Sequence, residues 1–424
     1  MRSLYSLLLY LLMPLVLLYL LFRGLRSRDY LSRWSERFGV FTPPAQNGAL
    51  WIHAVSMGEV NAAAALIRAL AERYPDKPLC ITTFTPTGSS RVQELFGDKV
   101  FHVYLPFDLP GSVSRFYDRV QPDLGVIMET EIWPNLLHGA ASRKIPCVIA
   151  NARISDHSLD HYRRFRRLTT TALGKVSRIA AQSESDAQRL VSIGAPPNRV
   201  SVSGNLKFDF SLPDGLPDDG QAIRQAWGEH RAVLVAGSTH EKDEECLIDA
   251  FKNVLTEFSD ALLVLVPRHP ERFDRCAQAT QAKGLTVSRF SEGNGCQADT
   301  QCFVVDAMGE LLRYYAACDV AFIGGSFAPI GGHNPLEPAA LARPLVVGPH
   351  MFNSAEITAQ LLESGAALQV NDAKALEAAL LELFEKPGLR KKMGQAGYRQ
   401  VQNGQGAVDR TLKLIESLIT EEAG

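Results

Sequence analysis

Two short acidic turns in the first half of the chain carry the residue types that proton chemistry needs. SMGEV places Ser56, Gly58 and Glu59 where a helix opens, directly after the apolar run ALWIHAV; ETEIWPN places Glu129, Glu131 and Trp133 directly after DLGVIM. A carboxylate at a helix N-terminus is commonly only a dipole-stabilised cap. At the mouth of a cleft the same group can take a proton from an attacking hydroxyl, and Glu59 is the candidate for that role. Acidic groups at i and i+2 seldom both cap, so Glu129 or Glu131 could orient a substrate or carry a raised pKa, an ordinary exposed ion pair being the plainer alternative. Lys207, in SGNLKFDF, could neutralise a phosphate or carboxylate, although alone it reads as a surface lysine.

The second half carries four more turns: AGSTHEKDEE, PRHPER, MGE at 308–310, and GGSFAPIGGHNPLEP. Glycine turns after strands expose backbone N–H groups and helix N-termini, which suit phosphate oxygens. The candidates here are Ser238, His240, His269, Gly324, Gly325, Ser326, Gly332 and His333, with Arg268 adding charge. Asn334 and Glu337, at i and i+3, could hold ribose hydroxyls. No Walker GxxxxGK[ST], HExxH or DxD occurs, so a leaving phosphate would be met by Arg, Lys and helix dipoles; no metal site and no cofactor is expected. The stretch from Arg153 to Arg178 holds seven basic residues, among them Arg163, Arg164, Arg166 and Arg167. It reads equally as a solvated helix face or as a contact for anionic headgroups.

Positioning such turns requires strands, and the pattern supplies them. From Ala49 to Val202, ALWIHAV, PLCITTF, VFHVYLP, DLGVIM, IPCVIA and RIAAQ alternate with helix-like stretches; RAVLVAGS, ALLVLVPRHP, CFVVDAM, DVAFIGGS and RPLVVGP repeat the scheme. Alternation of this kind predicts parallel sheets flanked by helices. The fold class is therefore α/β, two Rossmann-like domains facing a central cleft, with ligands beyond the carboxyl ends of the strands. The boundaries expected are a membrane anchor over 1–28, an N-terminal domain over 29–210, a Pro/Gly/Asp-rich linker over 211–220, a C-terminal domain over 221–405 and a C-terminal helix over 406–424.

At 424 residues the chain exceeds the size at which one core stops growing, which agrees with two domains. Apolar residues make up 46% and charged residues 21%, which excludes a mostly disordered chain. With 44 basic and 46 acidic residues nothing suggests a nucleic-acid partner. The seven cysteines are scattered, without a CxxC pair, so neither a disulfide framework nor a zinc site is indicated. Leu4 to Phe22 carries no charge and is long enough to span a bilayer. Five arginines follow it (Arg23, Arg26, Arg28, Arg33, Arg37) against Arg2 before it, which predicts a single-pass anchor with the bulk of the chain on the cytoplasmic side of the inner membrane. Pro14 could also mark a segment that is only partly inserted.

Taken together, WIHAVSMGEV, METEIWPN, SGNLKFD, GSTHEKDEE, PRHPERF and GGSFAPIGGHNPLEPAA resemble the bacterial 3-deoxy-D-manno-octulosonic acid (Kdo) transferase family, across essentially the whole chain. The resemblance implies a GT-B fold and a metal-independent, inverting transfer of Kdo from CMP-Kdo to the 6′-hydroxyl of a tetra-acylated lipid A precursor in lipopolysaccharide synthesis. By motif, Glu59 would be the base, Glu129 a substrate-orienting or transition-state residue, and Lys207 its assistant. The CMP site would fall on Pro267 and Arg268, on Met308, Gly309 and Glu310, and on Asn334, Pro335, Leu336 and Glu337. Partners would be CMP-Kdo, the lipid A precursor and inner-membrane lipids. Alternatives are another GT-B enzyme acting on a UDP-sugar, as transferase or epimerase, or a membrane-tethered sugar-nucleotide binder without catalysis.

Overall fold

The structure is a computed structural model that describes residues 1–293 and 295–423. The chain forms two compact units: Met1–Phe210 together with the stretch from Gly404 onward, and Ser211–Asn403.

In the first unit β1 (Leu50–His53), β2 (Leu79–Thr83), β3 (Phe101–Tyr104), β4 (Leu124–Met128), β5 (Cys147–Ala152), β6 (Arg178–Ala181) and β7 (Val200–Val202) form one parallel sheet in the order β3-β2-β1-β4-β5-β6-β7. The inner strands are buried along their whole length because helices cover both faces. Alternation sends Trp51 to one core layer, with Phe116, Tyr117 and Ile127, and Leu50 and Ile52 to the other, with Leu66, Ile67 and Met128. Gly125 makes room for the indole: a Cβ there would lie 2.8 Å from the Trp51 ring. The indole N–H donates to Thr82 Oγ1 at 2.8 Å.

The second unit repeats the architecture with β8 (Val233–Thr239), β9 (Leu262–Pro267), β10 (Val287–Arg289), β11 (Cys302–Val304), β12 (Val320–Ile323), β13 (Leu345–Val347) and β14 (Ala367–Gln369), ordered β10-β11-β9-β8-β12-β13-β14. The sequence had not pointed to β7, β10 or β14. Each is three residues long at a sheet edge, too short for a periodic pattern.

Two boundaries differ from expectation. The run expected as a linker over 211–220 is helical from Leu216, in a helix that continues to Trp227. Pro217 sits in its first turn, where a missing N–H costs nothing. Gly220 is buried where a Cβ would meet Ala316 backbone at 2.7 Å, so its glycine serves close packing rather than flexibility. The final helix, Ala407–Ala423, belongs to the first unit: Ala407, Ile415 and Leu418 join the core layer of Leu50 and Ile52, against the helix Met57–Arg73.

Asp209 fixes that return. Its carboxylate accepts the Gly406 N–H at 2.6 Å and the Val408 N–H, capping the last helix from outside it. Asp209→Ala is expected to cost about 1–2 kcal/mol, the usual value of a lost cap. Calorimetry would register this as a lower Tm, and limited proteolysis would show new cutting around Gly404–Gly406.

Candidate active site

In the first unit the strand order reverses between β1 and β4, which are directly paired. Loops leaving two such strands diverge to opposite faces and leave a crevice at their carboxyl ends. Both acidic turns stand there. Ser56 precedes the helix Met57–Arg73, and Glu59, in its first turn, folds back so that the Val55 N–H donates to Oε2 at 2.8 Å and Ser56 Oγ to Oε1 at 3.4 Å. The N–H groups of Phe84 and Thr85 both donate to Val55 O, which ties this turn to the end of β2. Burial raises the Glu59 pKa to about 8, with the charges of Glu129 and Glu131 pushing the same way.

Glu129 adopts a left-handed backbone, φ 54°, and accepts Arg153 Nε at 2.9 Å. Arg153 O in turn accepts the Thr130 hydroxyl. Glu131 accepts the Trp133 indole N–H at 2.7 Å, and burial raises its pKa, with the Glu129 charge adding to the effect. The Trp133 ring stacks on Phe84 with centroids 6.3 Å apart. Three carboxylates thus share one corner, with one guanidinium paired to the middle residue of the set. Lys207 lies in the short turn Leu206–Phe208, which packs on the Glu59 helix and is held by Asn151 Oδ1 accepting the Leu206 N–H at 3.0 Å. Gly58 is exposed in the same first turn as Glu59.

The second unit reverses between β8 and β12, and three imidazoles gather there. The rings of His240 and His333 stack, 5.3 Å between centroids, with their Nε2 atoms 3.0 Å apart; His269 lies edge-on to His240 at 5.5 Å. Burial lowers the His333 pKa to about 4, with repulsion from His240 and Arg268 adding to it, and burial lowers that of His240 too. Both shifts favour the neutral rings, in which case one Nε2 donates and the other accepts. Arg268 is tied to β8 through its N–H, which donates to Thr239 O at 3.0 Å.

Asp243 organises this corner, and the sequence reading did not single it out. Fully buried, it accepts the N–H groups of His240 (3.0 Å), Gly325 (2.7 Å), Phe327 (2.9 Å) and Ala328 (3.2 Å). Those amides are therefore not presented to a phosphate, contrary to the expectation for the GGSF turn. Gly324 N–H is likewise used, on Gly237 O, and Gly332 N–H on Gly325 O. The Ser326 hydroxyl is turned inward, donating to Ile323 O and accepting the Gly348 N–H. The Arg268 side chain brings positive charge to this corner, near enough to His240 and His333 to help lower their pKa values. The one signal for Asp243 in the sequence was its place three residues after His240, the spacing of a reciprocal cap.

The other candidates follow neighbouring strand ends. Ser238, left-handed at φ 54°, is the penultimate residue of β8, and Pro267 ends β9, buried. Met308 and Gly309 form an exposed turn after β11, and Glu310 pairs with Arg313 at 2.7 Å. Asn334 Nδ2 donates to Glu337 Oε1 at 3.1 Å, while its Oδ1 accepts the Leu336 N–H, so the two polar residues hold each other at the start of the short helix Leu336–Ala340. Pro335 and Leu336 are buried. Burial raises the Glu337 pKa.

Removing the Asp243 carboxylate strands four amides, three of them buried. Asp243→Ala is expected to lose about 3 kcal/mol, lowering the Tm by roughly 6–12 °C; Asp243→Asn, which keeps one acceptor oxygen, should lose less. Differential scanning calorimetry of the three proteins checks the order.

Known proteins resemble this chain in sequence and in fold. Residues 32–210 match the family described as 3-Deoxy-D-manno-octulosonic-acid transferase (kdotransferase), and residues 225–400 match Glycosyl transferases group 1. The chain is 40% identical over 420 residues to the 3-deoxy-D-manno-octulosonic acid transferase of Haemophilus influenzae, covering 98% of each, and 36% identical to that of Bordetella pertussis, covering 98% of this chain and 99% of that one. Among solved structures, the UDP-GlcNAc 2-epimerase of Neisseria meningitidis superposes with a TM-score of 0.56 at 15% identity, covering 87% of this chain and 100% of that one. That likeness concerns the fold alone, which is GT-B. With such identity sustained over nearly its whole length, the chain belongs to the 3-deoxy-D-manno-octulosonic acid transferase family of glycosyltransferases.

Proposed function

We propose that this Kdo transferase moves Kdo from CMP-Kdo to the 6′-hydroxyl of a tetra-acylated lipid A precursor, with inversion and without a metal or cofactor, at the cytoplasmic face of the inner membrane. The observation that carries the reading is Glu59: a half-buried carboxylate at the β1/β4 reversal with a pKa raised to about 8, poised to take a proton near working pH. As the acceptor oxygen bonds to the anomeric carbon, its proton passes to Glu59, and the bond from that carbon to the phosphate oxygen breaks, releasing CMP with the electron pair. Glu129, held by Arg153, orients the acceptor, and Lys207 assists.

The donor falls to the second unit. Arg268 meets the phosphate charge, Pro267, Met308, Gly309 and Glu310 line the nucleotide, and Asn334 to Glu337 take ribose hydroxyls. The sequence has no DxD pair to tie a metal to a nucleotide sugar, which supports metal independence. The N-terminal helix attaches the enzyme to the membrane that holds its acceptor.

The test incubates detergent-solubilised protein with CMP-Kdo and the tetra-acylated precursor in the presence of a chelator, following CMP release and product mass. Acceptor-dependent mass gain is expected, and Glu59→Gln should lower turnover by about 10²–10⁴-fold. No transfer by folded protein, or transfer only from a UDP-sugar, would overturn the assignment.

The pH dependence has a definite sign. Below about 8 the Glu59 carboxyl is mostly protonated and only its ionised fraction serves as base, so kcat/KM should climb with pH and level off above about 8. The folded state also binds this proton more tightly than the unfolded chain, so Glu59 withdraws stability as pH rises from the ordinary carboxylate range to about 8. Glu59→Gln should therefore have a flat residual profile and a higher Tm than the parent at pH 8 to 9.

A further inference from the structure

The N-terminal helix, Arg2–Arg26, is the one helix among the described residues that is long and apolar enough to cross a membrane. It touches the first unit at both of its ends. Near its start, Tyr5 OH donates to Asp108 Oδ2 at 3.0 Å, Asn135 Nδ2 donates to Ser6 Oγ at 3.0 Å, and Arg2 Nη1 donates to Asn135 Oδ1 at 3.4 Å. Near its other end Leu20, 6% exposed, packs with Phe107 and Leu109. Between them Leu9, Met13 and Val16 continue the same inward face at helical spacing.

The opposite face is exposed. Leu4, Leu11, Leu15 and Leu18 are each more than half exposed, and no charged residue interrupts them. Charge is confined to the two ends, Arg2 and the amino terminus at one, Arg23 and the arginines after it at the other.

Twenty-five residues make a rod about 37 Å long, against a hydrocarbon core of about 30 Å. Were the rod to cross the bilayer with the unit in water, the Tyr5 and Ser6 end would stand on the far side. Its partners Asp108 and Asn135 could reach it only by entering hydrocarbon, where charged and polar groups are costly. Resting on the membrane attachment proposed above, we infer that this helix lies in the plane of the cytoplasmic leaflet, its leucine face in the acyl layer and both cationic ends at anionic headgroups.

The contact has a consequence for the acceptor site. Asn135 belongs to ETEIWPN, and Asp108 accepts the N–H groups of Asn135 and Leu136, capping the helix Pro134–Ser142 that follows Glu131 and Trp133. The in-plane helix is therefore bonded to the start of the helix that follows the acidic turn, holding that turn at headgroup depth, where a lipid-borne hydroxyl is found.

The experiment places a protease-cleavable peptide before Met1 of the full chain and treats intact spheroplasts and inverted membrane vesicles with the protease, after scoring sedimentation with membranes. In parallel, Ser6→Cys/Asn135→Cys is oxidised in native membranes and read as a non-reducing mobility shift, with the bridged peptides identified by mass. The expected result is membrane-bound protein, cut in inverted vesicles and spared in spheroplasts, with the bridge formed in most of the chain. Membrane-bound protein cut in intact spheroplasts, without the bridge, would overturn the in-plane helix and leave membrane attachment standing. Recovery in the supernatant, with the leucine face covered by a second copy, would overturn both.

Discussion

Parallel pairing of the two strands at which the sheet order reverses is the constraint on which the site depends. β1 and β4 run in register from Leu50 opposite Leu124 to His53 opposite Ile127, so the loops that leave them start one strand spacing apart, about 4.8 Å. Glu59 and Glu129 have no freedom to be distant. The β8 and β12 pair, Val320 opposite Leu234 to Ile323 opposite Gly237, brings His240 and His333 together in the same way.

The two units place an acid at the same helical position and use it differently. Glu59 and Asp243 are each the third residue of the helix that follows the first strand of their unit. Asp243 is saturated by four amides and spends its charge on holding the glycine turn. Glu59 receives one amide and a long hydroxyl contact, too little to offset burial beside two further carboxylates, so its proton is held to higher pH. The number of donors around each carboxylate separates the two.

Much of this was legible because it is written in strand ends. The apolar runs that precede SMGEV, ETEIWPN and GGSFAPI are buried central strands, and a residue that follows such a strand must emerge at the carboxyl edge of the sheet. What was illegible depends on closure in three dimensions. Asp243 stands in AGSTHEKDEE, a turn read for its fit to phosphate, and nothing local reveals that Gly325, Phe327 and Ala328 turn their amides toward it. Nor does the sequence reveal that Arg272 of PRHPER is paired to buried Glu244 at 2.6 Å. Pro217 and Gly220 look like linker punctuation, whereas one starts a helix and the other lets it pack closely. A glycine-rich turn in the sequence says that the backbone bends, without saying which groups its amides already serve.

The return of the last helix to the first unit makes the second unit an insertion, with the chain crossing between them near residues 210 and 404. During synthesis at about 5–20 residues per second, the second unit has all its residues well before the first. Until Ala407, Ile415 and Leu418 leave the ribosome, the core layer around Leu50 and Ile52 lacks part of its cover. The unit that begins translation is thus the one whose packing is finished last, and a premature stop in the final twenty residues would spare Ser211–Asn403 while leaving the first unit open to chaperones and proteases.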